Sequence, residues 1–225
     1  MHDLTVTAAV WQRGLLSEEF HVPLSSVHFF TGAIEHSEKL RVSKVPHDIP
    51  ADIKITSISL GKNLSQMLAD GEIDAIFSAT KPSSFGTSAN VTRLFPDFKR
   101  VEAEYYARTG IFPIMHVVAL KRSVYEANPW IAKNLTKAFA KALDMAYEPL
   151  KERAALRYML PWLEDHVDET RSLMGGSEKW WQDGFEANRH VLEKFLEYSF
   201  DQGLAAKRYK AEELFAPSTL EDFVV

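Results

Sequence analysis

A loop rich in hydroxyl groups follows an apolar run in the first half of the chain. The run Ile73–Ser78 is predicted to be a buried strand. Four polar side chains come directly after it: Thr80, Lys81, Ser83 and Ser84. Open α/β sheets bind ligands beyond the carboxyl ends of their strands, and an ammonium group with nearby hydroxyl donors suits a carboxylate. We therefore predict a substrate-binding loop here, with an ordinary polar surface loop as the alternative.

The first predicted helix, Thr7–Phe20, begins beside two threonines. Free backbone N–H groups and the helix dipole favour an anion at a helix N-terminus, and the hydroxyls of Thr5 and Thr7 would add donors there. We predict that both threonines contact a substrate anion. A second interpretation, compatible with the first, is that one of them caps the helix.

His116 lies in the apolar run Ile111–Leu120, which is predicted to be a strand because of its β-branched residues. An imidazole titrates near neutral pH, so His116 is a candidate for proton transfer. The alternative is a hydrogen-bonded histidine of the core. Later in the chain, Trp180 and Trp181 are interpreted as packing residues, and Arg189 as either a carboxylate ligand or part of a solvated helix face.

Several other chemistries lack the residues that they need. The sequence has no pair of histidines at metal-binding spacing, no phosphate-binding or dinucleotide-binding glycine pattern, and no nucleophile elbow. It also has no cysteine, which excludes a disulfide framework, a thiolate metal site and a thiol nucleophile. The sequence therefore gives no evidence for a metal site, and a site assembled from scattered histidines and carboxylates stays an alternative.

Composition narrows the class of protein further. The 225 residues are 46% apolar and 25% charged, as in a soluble globular protein. Since 26 basic and 31 acidic residues give a net charge of −5, a basic nucleic-acid groove is not expected. The apolar runs are shorter than the roughly 18 residues that a membrane span needs.

Helices and strands are predicted to alternate in the first half of the chain. Strands are expected over 27–30, 53–60 and 73–78, with a short helix that Asn63 caps and Gly71 ends. This order predicts an α/β fold with a parallel sheet. In the second half, the strand 111–120 is followed by a helix starting at Asn128-Pro129. Further helices are predicted near 152–160, 164–174 and 186–202.

Seven segments occur in an order that resembles the 4,5-dihydroxyphthalate decarboxylase family: Ala8–Leu16, Gly71–Ala75, Arg93–Asp97, Thr109–Val118, Asn128–Trp130, Glu186–Arg189 and Glu213–Pro217. The resemblance covers essentially the whole chain. It implies the type 2 periplasmic-binding-protein-like fold, with two lobes of which the N-terminal part of the first is missing. Residues 4–108 would then form the second lobe. Residues 109–225 would return to the first lobe with one strand and its helical C-terminal part.

The resemblance also implies a reaction. The expected enzyme is a carboxy-lyase that removes CO₂ from a dihydroxylated aromatic dicarboxylate, such as 4,5-dihydroxyphthalate, by a cofactor-free acid/base mechanism. Anion contacts would come from Thr5, Thr7, Thr80 and Lys81, with Ser83 and Ser84 as supporting donors and His116 moving the proton. The family usually has an arginine where this chain has Thr80, which puts the identity of the substrate in question. A chain truncated in this way could also be inactive.

A second function fits the same anion donors. The chain could be a solute-binding protein that captures a small organic anion for an ABC transporter, because a fold does not fix a function. The enzyme is expected in the cytoplasm and the solute-binding protein in the periplasm. For the enzyme we expect a small aromatic carboxylate as ligand, no nucleic acid and no membrane span. Apolar surface left uncovered would favour a homo-oligomer.

Overall fold

The computed structural model describes Met1, residues 3–35 and residues 48–221, and all structural statements concern these residues. Helices and strands are both present, in agreement with the predicted α/β class. The chain divides into two compact units. The first unit combines Met1–Phe98 with Lys194–Tyr209, and the second combines Lys99–Glu193 with Lys210–Val225. The lobes implied by the resemblance stay a prediction.

Seven helices and two strands are described, in this order: α1 (Thr7–Glu18), β1 (His28–Thr31), β2 (Lys54–Ser57), α2 (Leu64–Ala69), α3 (Phe98–Thr109), α4 (Arg122–Ala127), α5 (Trp130–Lys151), α6 (Leu163–Leu173) and α7 (Phe185–Asp201). Short 3₁₀ turns cover Leu24–Ser26, Ala211–Leu214 and Pro217–Thr219. Among the described helices, none is both long and apolar enough to cross a membrane.

Helix α1 buries Ala9, Val10, Trp11, Arg13 and Gly14. Its N-cap is Val6, whose backbone is extended and whose side chain cannot accept a hydrogen bond. The prediction that Thr5 or Thr7 caps the helix was therefore wrong, because Thr7 is already the first helical residue.

Strands β1 and β2 pair in parallel, as the alternating pattern predicted, with Phe29 opposite Ile55. Phe29 is buried in a cluster with Met1, Leu4 and Ala9. This cluster joins the sheet to the start of α1, so the parallel pair and the first helix share one core.

Helix α2 agrees with its sequence signals at both ends. The Asn63 Oδ1 atom accepts a hydrogen bond from the Gln66 N–H at 2.8 Å, and Gly71 takes the left-handed conformation just after the helix, with φ +73°. The inner side chains Leu64 and Met67 pack with Ile58 and with the buried Ile73.

Two strand predictions were wrong. Neither Ile73–Ser78 nor Ile111–Leu120 joins a sheet among the described residues. In the second segment the apolar side chains are largely exposed, with Val117 at 61% and Val118 at 62%. Apolar, β-branched composition favours an extended chain, but a strand also requires a neighbour with which to exchange backbone hydrogen bonds.

The second half contains most of the predicted helices. Helices α5, α6 and α7 lie where the apolar spacing placed them. The helix predicted near 152–160 was wrong. There the Glu152 carboxylate accepts the backbone N–H groups of Ala154 and, at longer range, Ala155, which forms a turn instead of a further helix.

Aromatic side chains hold the second unit together. The Tyr147 hydroxyl on α5 accepts a hydrogen bond from the backbone N–H of Trp181 at 2.8 Å. The Tyr147 ring meets the Trp180 ring edge-on, with 4.9 Å between the ring centroids. Trp181 in turn packs edge-on against Phe112 at 5.4 Å. The interpretation of the two tryptophans as packing residues is confirmed.

Candidate functional site

The predicted substrate loop is anchored to the rest of the first unit by its two serines. The Ser83 N–H and hydroxyl both donate to the Glu35 carboxylate at 2.8 Å. The Ser84 N–H donates to the buried Ser65 hydroxyl of α2 at 3.1 Å, and the Ser65 and Ser84 hydroxyls are 3.0 Å apart. Both predicted donors therefore have protein partners, and their clearest role is to fix the course of the loop.

Thr80 precedes the lysine in a tight turn. Its N–H donates to the Ser78 hydroxyl at 3.0 Å, and that hydroxyl donates back to the Thr80 carbonyl at 2.6 Å. Thr80 and Lys81 are both exposed. The turn presents the Lys81 ammonium on the surface of the first unit, where it can meet an anion from solution.

Arg93 and Lys81 both contact the ring of Phe85. Lys81 Nζ lies 5.2 Å from the centroid of the Phe85 ring, and Arg93 Cζ lies 5.3 Å from the same centroid. Arg93 also lies over the ring of Phe98 at 4.2 Å. The structure thus brings to the loop an arginine that the sequence analysis did not assign to the site.

The start of α1 already holds an anion of the protein itself. The Asp3 Oδ1 atom accepts both the N–H and the hydroxyl of Thr5 at 2.8 Å. The N–H and hydroxyl of Thr5 are therefore already hydrogen-bonded to a carboxylate of the same chain, as are those of Ser83 in the loop. Thr7 occupies the first turn of α1 and is half-buried.

Arg13, in the middle of α1, is a fully buried cation whose guanidinium extends toward the start of the helix. Its Nη2 donates to the Leu4 carbonyl at 2.6 Å and its Nε to the Ala9 carbonyl at 3.2 Å. Its Nη1 has no hydrogen-bond partner among the described residues. Burial lowers the pKa of Arg13 to about 10, although the charge of Asp3 acts in the opposite direction. The group stays protonated at neutral pH.

His116 lies in the irregular segment of the second unit and is exposed. The interpretation of His116 as a core histidine is wrong, because the strand that would bury it is not formed. An exposed imidazole can exchange protons with solvent and can be offered to a ligand. It belongs to a different compact unit from Lys81 and the threonines.

Arg189 is the other cation that the sequence made a candidate. Its guanidinium hydrogen-bonds Glu186 on the same helix and Glu212, both in the second unit. The hydrogen bond to Glu186 raises the pKa of Arg189 above its ordinary value. Its carboxylate partners are thus residues of the protein, which favours a structural role.

Two curated proteins match this chain, and both are named 4,5-dihydroxyphthalate decarboxylase. The one from Comamonas testosteroni is 34% identical over 221 residues, which are 98% of this chain and 66% of the relative. The one from Pseudomonas putida is 32% identical over 102 residues, which are 45% of this chain and 39% of that relative. Over almost its whole length, the chain is therefore similar to a protein of the 4,5-dihydroxyphthalate decarboxylase family. No family model matches it.

The similarity includes almost all of this chain, but the chain spans just under two thirds of the Comamonas relative. Within the described residues, no group of three His, Asp or Glu side chains is arranged to hold a metal ion. The candidates for substrate binding that the sequence and the described contacts offer are cations and hydroxyls. The sequence made Lys81 a candidate through its loop but not Arg93, although Arg93 opens one of the segments that carry the family resemblance.

Proposed function

We propose that this protein is a decarboxylase that acts on 4,5-dihydroxyphthalate or a closely related dihydroxylated aromatic dicarboxylate. The observation that carries the proposal is the 34% identity with the Comamonas protein of that name, which extends over 98% of this chain. The exposed Lys81 ammonium supports it, because a dicarboxylate substrate needs cationic contacts.

The proposed reaction needs one proton and no change of oxidation state. A ring hydroxyl para to the departing carboxylate donates electron density, and a proton adds to the ring carbon that bears this carboxylate. The bond from that carbon to CO₂ then breaks, and its electron pair restores the aromatic ring. The product, 3,4-dihydroxybenzoate, keeps the other carboxylate. Binding that spectator group to a cation would hold the reacting carbon in place.

We assign the proton transfer to His116 and the anion contacts to Lys81, Thr80, Thr5 and Thr7 as parts of this proposal. The exposure of His116 supports its part, because it can reload with a proton from solvent after each turnover. Ser83 and Ser84 act by holding the loop, given their hydrogen bonds to Glu35 and Ser65.

The proposal extends to architecture and location. We propose that the fold is of the type 2 periplasmic-binding-protein-like kind, with residues 4–108 in its second lobe and residues 109–225 returning to the first. A parallel strand pair followed by a capped helix supports this fold. We also propose a cytoplasmic location.

The test is CO₂ release from 4,5-dihydroxyphthalate with chromatography of the product. The 225-residue chain would be assayed beside the Comamonas relative as a positive control. His116→Gln should lower kcat by about 10²- to 10⁴-fold with little change in KM. His166→Gln, an exposed histidine of α6 in the same unit, is the matched control and should stay within about twofold of the parent.

Three results would contradict parts of this proposal. If this chain released no CO₂ while the Comamonas relative did, decarboxylation by this chain would be rejected. If such an inactive chain bound organic anions tightly, a solute-binding function would become the better hypothesis. An active chain whose His116→Gln variant kept its full rate would reject the role of His116 alone.

A further inference from the structure

Two cations of the first unit approach one phenyl ring. Lys81 Nζ and Arg93 Cζ lie 5.2 and 5.3 Å from the Phe85 centroid, so they are separated by no more than these two distances combined. Both side chains are exposed, and no carboxylate among the described residues forms an ion pair with either. Two unpaired cations near one ring give this part of the surface a local positive charge, which favours an anion.

We propose that Lys81 and Arg93 together bind the two carboxylates of an aromatic dicarboxylate, which makes Arg93 a specificity-determining residue. This inference rests on the proposed function, because it concerns the substrate of the same site. It predicts that the site distinguishes a dianion from a monoanion of the same size.

The aromatic contacts of Arg93 are what suit it to this role. Arg93 Cζ lies 4.2 Å from the centroid of the Phe98 ring and 5.3 Å from the centroid of the Phe85 ring. Rings that stack on a guanidinium occupy its flat faces and leave its N–H groups, which lie in the plane, free to donate. A fixed fork of donors binds a carboxylate through two parallel hydrogen bonds.

Lys81 complements that fork as a second, more mobile charge. An ammonium acts as a point charge with three donors and accepts many ligand angles. The two carboxylates of a phthalate are on adjacent ring carbons, so one fork and one point charge can meet them together. The loop that carries Lys81 is held by the hydrogen bonds of Ser83 and Ser84, which reduces the entropy lost when the ligand binds.

A purely structural role for Arg93 is the competing explanation. Arg93 could simply tie the loop to Phe98 through its ring contacts. In that case its removal would lower the melting temperature, while the preference for two carboxylates would not change. The two explanations therefore differ in what they predict for binding and for stability.

The test is calorimetric binding of phthalate, which has no hydroxyl groups to drive decarboxylation, and of benzoate, its analogue with one carboxylate. Arg93→Gln and Lys81→Gln should each weaken phthalate binding about tenfold or more and benzoate binding by much less. The phthalate affinity of Arg93→Lys should lie between those of the parent and Arg93→Gln, because lysine keeps the charge but cannot form two parallel hydrogen bonds. Arg122→Gln, at an exposed arginine of α4 that we place in neither the catalytic nor the binding residues, should leave both affinities within about twofold.

The outcomes separate this inference from the proposed function. Equal losses for phthalate and benzoate, unchanged phthalate affinity in Arg93→Gln, or a parent chain that does not bind phthalate would each overturn the inference. Decarboxylation that persists at full efficiency in Arg93→Gln would also overturn it and leave the proposed function standing. Selective loss of phthalate binding in a chain that releases no CO₂ would support the site and reject the activity.

Discussion

The ring of Tyr198 lies directly against the backbone of Gly14. A Cβ atom added at Gly14 would be 2.2 Å from Tyr198 Cδ2 and 2.4 Å from Cε2, far inside normal contact. Tyr198 is buried and meets the Trp11 ring edge-on at 5.7 Å. Its hydroxyl donates to the Glu18 carboxylate. The ring is thus held on several sides and has little room to yield to a larger residue at position 14.

Gly14→Ala should destabilise the protein despite the better helix propensity of alanine. Forcing one methyl group into this contact should cost about 1–3 kcal/mol of unfolding free energy. Urea unfolding would measure it. Ser17→Ala, at an exposed position of α1, is the control for helix propensity and should be neutral or slightly stabilising. An unchanged urea midpoint for Gly14→Ala would show that the ring can move aside.

Asn63→Ala should lower stability by about 1 kcal/mol, because the Gln66 N–H loses the side chain that accepts its hydrogen bond. Asn63→Asp keeps an acceptor at the same place and should retain most of the stability. Thermal and urea unfolding of both variants would measure the effect. Equal destabilisation by alanine and aspartate would argue that packing of Asn63, not its cap, is what matters.

Ser65→Ala should affect both stability and the loop. The substitution leaves the buried Ser84 N–H without its acceptor, at a cost of about 1–3 kcal/mol. Because the same hydrogen bonds position Lys81, phthalate affinity should also fall. Ser59→Ala, at an exposed serine of the same unit, is the control for both readouts. A stability loss with unchanged phthalate affinity would show that the loop holds its course without Ser65.

Alkaline pH should remove a stabilising contribution from Lys194. Burial lowers the pKa of Lys194, but hydrogen bonds to Glu197 and Glu18 outweigh it and raise the pKa above its ordinary 10.5. A cation whose pKa is higher in the folded state stabilises fully below the unfolded value, and this contribution is lost as the pH rises through the folded value.

The measurement compares unfolding free energies of the parent and Lys194→Gln from neutral to alkaline pH. The difference should be constant up to about pH 10 and shrink above it. Lys54→Gln, at an exposed lysine of β2, should show no such change in the difference. A difference that stays constant into the alkaline range would contradict the role of the Glu18 and Glu197 contacts.

Elements with local signals could be predicted from the sequence. Helix α2 is specified by its own cap, its inner Leu64 and Met67 and its terminal Gly71, all within a few residues. Helix α3 was missed because its apolar positions Phe98, Val101 and Tyr105 are few, and none of its residues is buried in the structure. The strand predictions for Ile73–Ser78 and Ile111–Leu120 failed for a different reason, since the partner of a strand is not encoded in the strand itself.

In the candidate site, too, local features could be predicted from the sequence and contacts between distant residues could not. Lys81 and its serines stand in one loop, so composition alone pointed to them. In the structure, the carboxylates of Glu35 and Asp3 accept hydrogen bonds from Ser83 and Thr5. These contacts form only in the folded chain and could not be read from the sequence. The approach of Arg93 to Phe85 and Phe98 depends on how the loop bends, which no spacing rule gives.

The parallel pairing of β1 with β2 has a consequence for the order of folding. Thr31 and Ser57, which face each other at its end, are 26 residues apart in the chain. Closing a loop of that length costs about 3 kcal/mol of chain entropy before any ladder hydrogen bond forms. Helix α2 needs no such closure. We therefore expect the capped helix to gain its structure early and the strand pair to set the rate, with substitutions in β1 slowing refolding more than the removal of the Asn63 cap.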